Sequence, residues 1–414
     1  MSDQFDIAIV GGGMVGASLG VALEGLGIRI ALIESIPHDA AAQPSFDERT
    51  TALSNGSRRI LETLGVWPAL SAAATPIAKV HVSDQGHFGF ARLDAAEQGL
   101  AAMGYVVPNR SLGAALWGTL CRCPSVQVFC PAQVLRVVAG EHSVELRVST
   151  GGSAAPGGNE TVIEARLVVA ADGAQSAVRS AFGVAAEVRD YQQTAVITTV
   201  LPQRFHDYVA YERFTESGPL ALLPLADGRC TLVLTLTPEQ AELAMNWSDE
   251  EFLAEVQRRF GFRLGRFLQA GRRVPYPLSL SRSQRTSAAR CVIVGNAAQG
   301  LHPVAGMGFN LGLRDIASLA ELIAEHGRTQ GADLGNANLL AEYDTWRAAD
   351  RGGIIAFTDG LVRIFSNPLG AVQRLRNLGL LTFDLLPPAK AALSRLSTGA
   401  QGRMPKLARG VALR

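Results

Sequence analysis

The sequence predicts a mixed α/β (α+β) fold: a parallel-sheet nucleotide domain, discontinuous along the chain, with an inserted antiparallel sheet and a helical C-terminus. Three observations carry it. The run Phe5-Asp6-Ile7-Ala8-Ile9-Val10 ends in Gly11-Gly12-Gly13, as a strand buried on both faces does when it feeds a glycine turn and a helix. Between about Thr194 and Leu236 the pattern becomes alternating and β-rich, with turn signals at Ser217-Gly218-Pro219 and Asp227-Gly228, which reads as a second, antiparallel sheet. A further buried strand, Cys291 to Val294, then returns to the first sheet before a helical remainder.

Taken in order, the first helix should run from Met14 to about Leu26, closed by Gly27, with Arg29 to Glu34 as the next parallel strand of a βαβ unit. A loop and helix follow between Asp47 and Gly65, and strand-like material from Ile77 to about Leu93 interrupts the nucleotide pattern. A strand from Ala165 to Ala170 rejoins the parallel sheet and ends in Ala171-Asp172-Gly173, with Arg179 a turn or two downstream. Gly151 to Asn159 has the composition of a flexible hairpin tip.

Composition narrows the class. The chain has 414 residues, 48% hydrophobic and 18% charged, with a net charge of +1. That is a globular chain able to enclose a large cofactor, without the basic field that recruits nucleic acid. The five cysteines lack C-x-x-C pairing and are expected to be reduced thiols rather than zinc ligands. No signal-peptide pattern opens the chain and no apolar run approaches the ~18 residues of a membrane span. A cytoplasmic enzyme, with peripheral membrane contact as a further expectation, fits these features.

Gly11-Gly12-Gly13-Met14-Val15-Gly16 has G-x-G-x-x-G spacing in a strand-turn-helix context. Gly11 allows the turn, Gly13 lets the backbone approach a pyrophosphate, and Gly16 permits close helix packing, the anion resting on the helix N-terminus. Glu34, at the end of the second strand, can accept ribose hydroxyls. This Rossmann-like fingerprint does not by itself separate FAD from NAD. The stretch Gly295-Asn296-Ala297-Ala298-Gln299-Gly300-Leu301-His302-Pro303-Val304-Ala305-Gly306-Met307-Gly308-Phe309-Asn310 joins a strand, a glycine-rich loop and a helix start. Such a loop can wrap a flavin ring and direct a helix dipole at its pyrimidine end.

These three motifs, in this order, resemble those of the flavoprotein aromatic hydroxylases typified by para-hydroxybenzoate hydroxylase. Phe46 to Leu53, Val80 to His87, Glu212 to Thr215, Gly218 to Pro224 and Gly295 to Asp315 are similar to the ubiquinone-biosynthesis branch. The resemblance implies a FAD-binding domain at 1–75, 100–185 and 285–350, a substrate sheet at 76–99 and 186–284, and a C-terminal helical region at 351–414. It further implies that Gly11, Gly13, Gly16 and Glu34 hold the ADP half of FAD, and that Arg49 and Arg110 hold the pyrophosphate and ribityl region. Asp172 and Gly173 would serve both FAD and a transient NAD(P)H; Gly295, Asn296, Pro303, Gly306, Gly308 and Asn310 would flank the flavin. The family's usual Gly-Asp-Ala-Ala-His reads Gly295-Asn296-Ala297-Ala298-Gln299 here; Asn296 keeps an acceptor oxygen but brings no charge.

The reaction so implied is NAD(P)H- and O2-dependent hydroxylation of a 2-polyprenyl-6-methoxyphenol, para to its hydroxyl, through a flavin C4a-hydroperoxide and without a metal. A related hydroxylase with another ring position or phenol, an inactive flavin-bound scaffold subunit, and an NAD-dependent dehydrogenase are the alternatives. The phenol needs a base; His302 and Tyr211 are candidates, and neither is assigned. Ala221 to Leu225 could line a channel for the tail. Nine basic residues from Arg363 onward (Arg363, Arg374, Arg376, Lys390, Arg395, Arg403, Lys406, Arg409, Arg414), against Asp384 alone, form a candidate surface for anionic lipid or for other ubiquinone-biosynthesis proteins.

Overall fold

The structure is a computed structural model that describes residues 3–40, 43–47, 49–87, 89–151, 159–301, 306–328, 331–365 and 402–413. The main parallel sheet has the order Cys291–Ile293, Asn159–Ala170, Asp3–Val10, Ile30–Ile33, Val126–Phe129. Its apolar runs are continuous because both faces are covered. Ile7 and Ile9 pack into a core with helices Met14–Ala22, Asn109–Leu120 and Met307–His326, whereas Ala8 and Val10 face the layer made by Ala132–Ala139 and Val144–Thr150.

The first helix ends at Ala22, earlier than Leu26. Gly25 and Gly27 adopt φ of 77° and 73°, so the chain leaves the helix one glycine sooner than the pattern suggests. A further difference lies in Thr50–Ser54, expected as loop. It pairs with Gly104–Pro108, which also pairs with Thr75–Ile77, in a small antiparallel sheet. Five residues whose partners lie fifty or more positions away carry no local signature of a strand.

The second large sheet has the order Gln299–Gly300, Val274–Ser283, Ala186–Pro202, Cys230–Leu236, Gly218–Pro224, Val209–Thr215, Lys79–Asp84, Phe90–Asp94. It is antiparallel except where Val209–Thr215 runs parallel to Lys79–Asp84. One face is sealed by Pro238–Asn246 and Asp249–Phe260, started by capping boxes Thr237/Gln240 and Ser248/Glu251. The other face meets the small sheet through Ala210, Leu93, Val106 and the partly buried Ala52.

Helix Ala337–Phe365 is followed, among the described residues, by 402–413, where only the short 3-10 turn Leu407–Arg409 is helical. The expectation of helix to the end is corrected there: Trp346 Nε1 donates to the Arg403 carbonyl at 2.9 Å, and the Lys406 amide donates to Glu321 at 2.5 Å. Burial of Leu407 and Leu413 anchors this segment in place of a helix. Lys406 Nζ bonds Glu325 at 2.6 Å, and Arg403 lies 3.8 Å over the Trp346 ring and pairs with Glu342. Two of the nine basic residues are thus engaged within the fold; Arg374, Arg376, Lys390, Arg395 and Arg414 lie outside the described residues. No described helix is long and apolar enough to cross a membrane.

Candidate functional site

The three motifs leave the parallel sheet from one transverse row. Val10 pairs with Ile33 and with Ala170, and Ala170 pairs with Ile293. The segments just beyond, Gly11–Gly13, Ala171–Gly173 and Gly295–Ala297, therefore converge at the carboxyl ends of neighbouring strands, where open α/β sheets take ligands.

Local sterics explain the glycines. A Cβ on Gly11, whose φ is +104°, would lie 2.4 Å from the Ala171 carbonyl oxygen, and a Cβ on Gly16 would lie 1.8 Å from the Gly11 oxygen. Gly13 caps helix Met14–Ala22 with extended backbone and no side-chain cap, which leaves the first-turn amides available to an anion. Glu34, 8% exposed, receives the Gly12 amide at 2.6 Å and the Ile36 amide at 2.9 Å. Trp117 completes this edge: its Nε1 donates to the Gly12 carbonyl at 3.0 Å, and its ring stacks on His38 at 4.9 Å. Neither residue stands out in the sequence, because each is recruited from a distant segment by packing.

Arg49 pairs with Asp47 at 2.6 Å and lies 4.5 Å over the Tyr276 ring, whose hydroxyl donates to Asp47 at 3.0 Å. The Asn109 amide donates to the Arg49 carbonyl at 2.9 Å, so Arg110, exposed in the first turn of Asn109–Leu120, starts beside it. Asp172 accepts from the Ser176 hydroxyl and from the Val178 amide at 3.1 Å; its carboxylate caps the short helix Ala177–Ala181. Arg179 ties that helix to the third motif, donating to the Ala174 and Ala297 carbonyls at 3.1 and 2.8 Å.

In the third motif Gly295 has φ +58° and its amide donates to Asp315 at 3.1 Å. Asn296 is exposed on the 3-10 turn Gly295–Ala297. Gln299 is 2% exposed, donates to Asp315 at 2.8 Å and accepts from Arg351 at 2.5 Å. Gln299 therefore has a structural reason, since one amide bridges a carboxylate and a guanidinium. Pro303 and His302 lie outside the described residues. Gly306 has φ +60° and caps Met307–His326, while a Cβ on Gly308 would meet nothing within 4 Å. Asn310, 6% exposed, accepts from the Ser54 amide at 2.8 Å and donates to the Ala52 and Gly306 carbonyls at 2.8 and 2.7 Å. Both of its donors are spent on protein, so its side chain clamps strand Thr50–Ser54 to the loop.

Tyr211 lies on the helix-covered face of the second sheet, 9% exposed, its ring 5.3 Å from Phe260. That face points away from the parallel-sheet half, and burial raises the phenol's pKa. Arg213 points the same way, donating to the Arg259 carbonyl at 2.9 Å. His81 shares this face, 4% exposed and 5.7 Å from the Tyr211 ring, with neither ring nitrogen in hydrogen-bond geometry; the Ala91 backbone gives weak electrostatic support. Burial, reinforced by Arg263 and Arg92, pushes its imidazole from 6.5 down to about 4. The folded state thus favours the neutral ring. Its contribution is complete above pH 6.5 and declines as pH falls toward about 4. Urea unfolding across this window should lose on the order of 2–3 kcal/mol from this residue. In His81→Leu that part of the slope should vanish, and an unchanged slope would exclude His81 as its source.

With this geometry in view, the chain matches the family described as FAD binding domain over residues 4–357. It belongs to that family and is an FAD-dependent aromatic monooxygenase. It is 37% identical to the ubiquinone hydroxylase UbiL of Rhodospirillum rubrum over 412 residues, 99% of this chain and 93% of that protein. It is 33% identical to the 3-demethoxyubiquinol 3-hydroxylase of Escherichia coli, over 92% of this chain and 94% of that protein. Among solved structures, p-nitrophenol 4-monooxygenase PnpA from Pseudomonas putida shares the fold, with TM-score 0.78 and 19% identity over 97% of this chain and all of that one. The chain suits FAD: a Cβ would block the turns at Gly11 and Gly16, the first-turn amides lack a side-chain cap, and Glu34 borders them.

Proposed function

We propose that this monooxygenase hydroxylates the ring of a polyprenylated phenol in ubiquinone biosynthesis, a 2-polyprenyl-6-methoxyphenol para to its hydroxyl, with NAD(P)H as reductant. The observation that carries the reading is similarity over nearly the whole chain to proteins named as ubiquinone hydroxylases. The convergence of the three motifs on one sheet edge supports it. A second reading, hydroxylation at another ring carbon, is favoured by the relative named for position 3.

Bound FAD supplies activation of O2 and transfer of one oxygen atom. In this assignment Gly11, Gly13 and Gly16 let backbone amides approach the pyrophosphate, and Glu34 meets the adenosine ribose. Arg49 and Arg110 neutralise the phosphates, Arg49 being oriented by Asp47 and Tyr276. Gly295, Asn296, Pro303, Gly306 and Gly308 shape the loop beside the ring, whereas Asn310 and Asp172 position backbone. Ala221 and Leu223 are half-buried on the face opposite Tyr211, and Leu222 is packed among the helices; alternate residues of that strand thus suit the tail. Contact with a membrane or with other ubiquinone-biosynthesis proteins belongs to the same proposal, since the substrate is lipid-soluble.

The test is turnover of the yellow holoenzyme with NADH or NADPH, air and a short-chain 2-polyprenyl-6-methoxyphenol, with product mass and ring position determined. Product heavier by one oxygen, carried para to the hydroxyl, is the expected result. Oxygen at another carbon would establish the second reading, and peroxide with unmodified phenol would exclude both.

A further inference from the structure

The register of the second sheet defines a strip on its cofactor-side face. Glu212 pairs with Val82 on one side and Ala221 on the other; Ala221 pairs with Val233, Val233 with Ile197, and Ile197 with Val274. Directly paired residues share a face, so these six form one continuous row. All six are half-buried. The row is apolar apart from Glu212.

Both flanking rows are tied to the Phe46–Leu53 stretch. On one side Tyr276, paired with Ala195, donates to Asp47; on the other Thr231, paired with Leu223, accepts from Thr50 at 3.0 Å. Thr50 opens the strand that Asn310 clamps to the Gly306 turn. The strip thus runs between two anchors to the half of the molecule that carries the glycine motifs. It has the character of an apolar floor with a single ionisable group.

We propose that Glu212 is the proton acceptor for the substrate's ring hydroxyl, with the apolar row beside it receiving the hydrophobic part of the molecule. The inference rests on the phenol hydroxylation proposed above. In the step, the phenol O–H bond breaks, its electron pair stays on oxygen as phenolate, and the proton forms an O–H bond with the Glu212 carboxylate. Phenolate is the better nucleophile toward an electrophilic oxygen. No described residue hydrogen-bonds or ion-pairs with this carboxylate, so it is free to meet a ligand.

The electrostatics agree. Glu212 keeps some solvent contact yet is surrounded by protein dense enough that desolvation alone pushes its carboxyl up to about 7. A base of that strength suits neutral pH. Among the residues facing it from its own and the two adjoining strands, the ionisable one is Asp84, buried in the next row and engaged with His87 at 3.2 Å. Arg213 and Tyr211 lie on the opposite face.

The test uses full-length holoenzyme and Glu212→Gln. Flavin content and NAD(P)H-driven flavin reduction without phenol should be unchanged. Hydroxylation should fall on the order of 100-fold or more, mainly in kcat, and lose its rise with pH near neutrality. The variant's deficit should shrink for phenol analogues acidic enough to enter ionised. Infrared difference titration should show a carboxyl that ionises near neutral pH in the parent and is missing in the variant. A variant retaining rate and pH profile, or a parent with no such carboxyl, would overturn the assignment. If the parent itself hydroxylates no phenol, the functional reading fails and this assignment with it, a result distinct from a loss confined to the variant.

Discussion

Asp315→Ala should destabilise the protein by about 3–5 kcal/mol, among the largest losses available to a single side chain here. Asp315 is fully buried and its carboxylate serves three donors: Arg347 Nε at 2.9 Å, Gln299 Nε2 at 2.8 Å and the Gly295 amide at 3.1 Å. Around it lie Asp350, which meets Arg314 and Arg347, and Arg351, which donates to Gln299. Three guanidinium groups are thus balanced by two carboxylates in a region sealed from water. Removal of one acid leaves a buried guanidinium short of counter-charge and the Gly295 amide without its acceptor. Denaturant unfolding of apo and holo forms should show the loss in both, with weaker flavin retention besides. A variant within about 1 kcal/mol of the parent would show that the network relaxes around the gap.

Gly16→Ala should abolish retention of FAD through purification. The added methyl would meet the Gly11 carbonyl at 1.8 Å, a backbone atom that cannot rotate aside. Helix Met14–Ala22 must then move off the sheet, or the Gly11 turn must open. Overpacking of this kind costs about 1–3 kcal/mol and occasionally more. Three kcal/mol spent at the cofactor's cradle is on the order of 100-fold in affinity. A flavin titration followed by absorption or fluorescence quenching reads this directly. Stoichiometric yellow protein from this variant would mean that the turn tolerates displacement.

The sequence made the architecture legible where periodicity and glycine spacing act locally. Asp3–Val10, the Gly11–Gly16 turn and Cys291–Ile293 each announce themselves within ten residues. The antiparallel sheet was visible from about Thr194, though the strand there starts at Ala186. Strand Thr50–Ser54 was not visible, because its stability comes from a distant partner and from Asn310. Trp117 and the Arg347 network are hidden for the same reason: their meaning depends on which segments cross. Glu212 belongs to a stretch that resembles a family motif, but its environment follows from strand register, which a single sequence does not determine. Register also puts Tyr211, one residue earlier on the same strand, on the opposite face.

The transverse row Ile33, Val10, Ala170 and Ile293 draws on four separated stretches of chain. A ribosome delivers them in order, and the last arrives when roughly seven-tenths of the 414 residues have been made. Until then the first glycine turn has no neighbour from Gly295 against Val15 and no Arg179 contact to Ala297. The βαβ unit at the N-terminus can condense early, yet a cofactor meeting it would find half a cradle. On the proposed assignment of the glycine motifs, a complete site for FAD is therefore expected only once Cys291–Ile293 has closed the sheet, and not on emergence of the fingerprint that first suggests it.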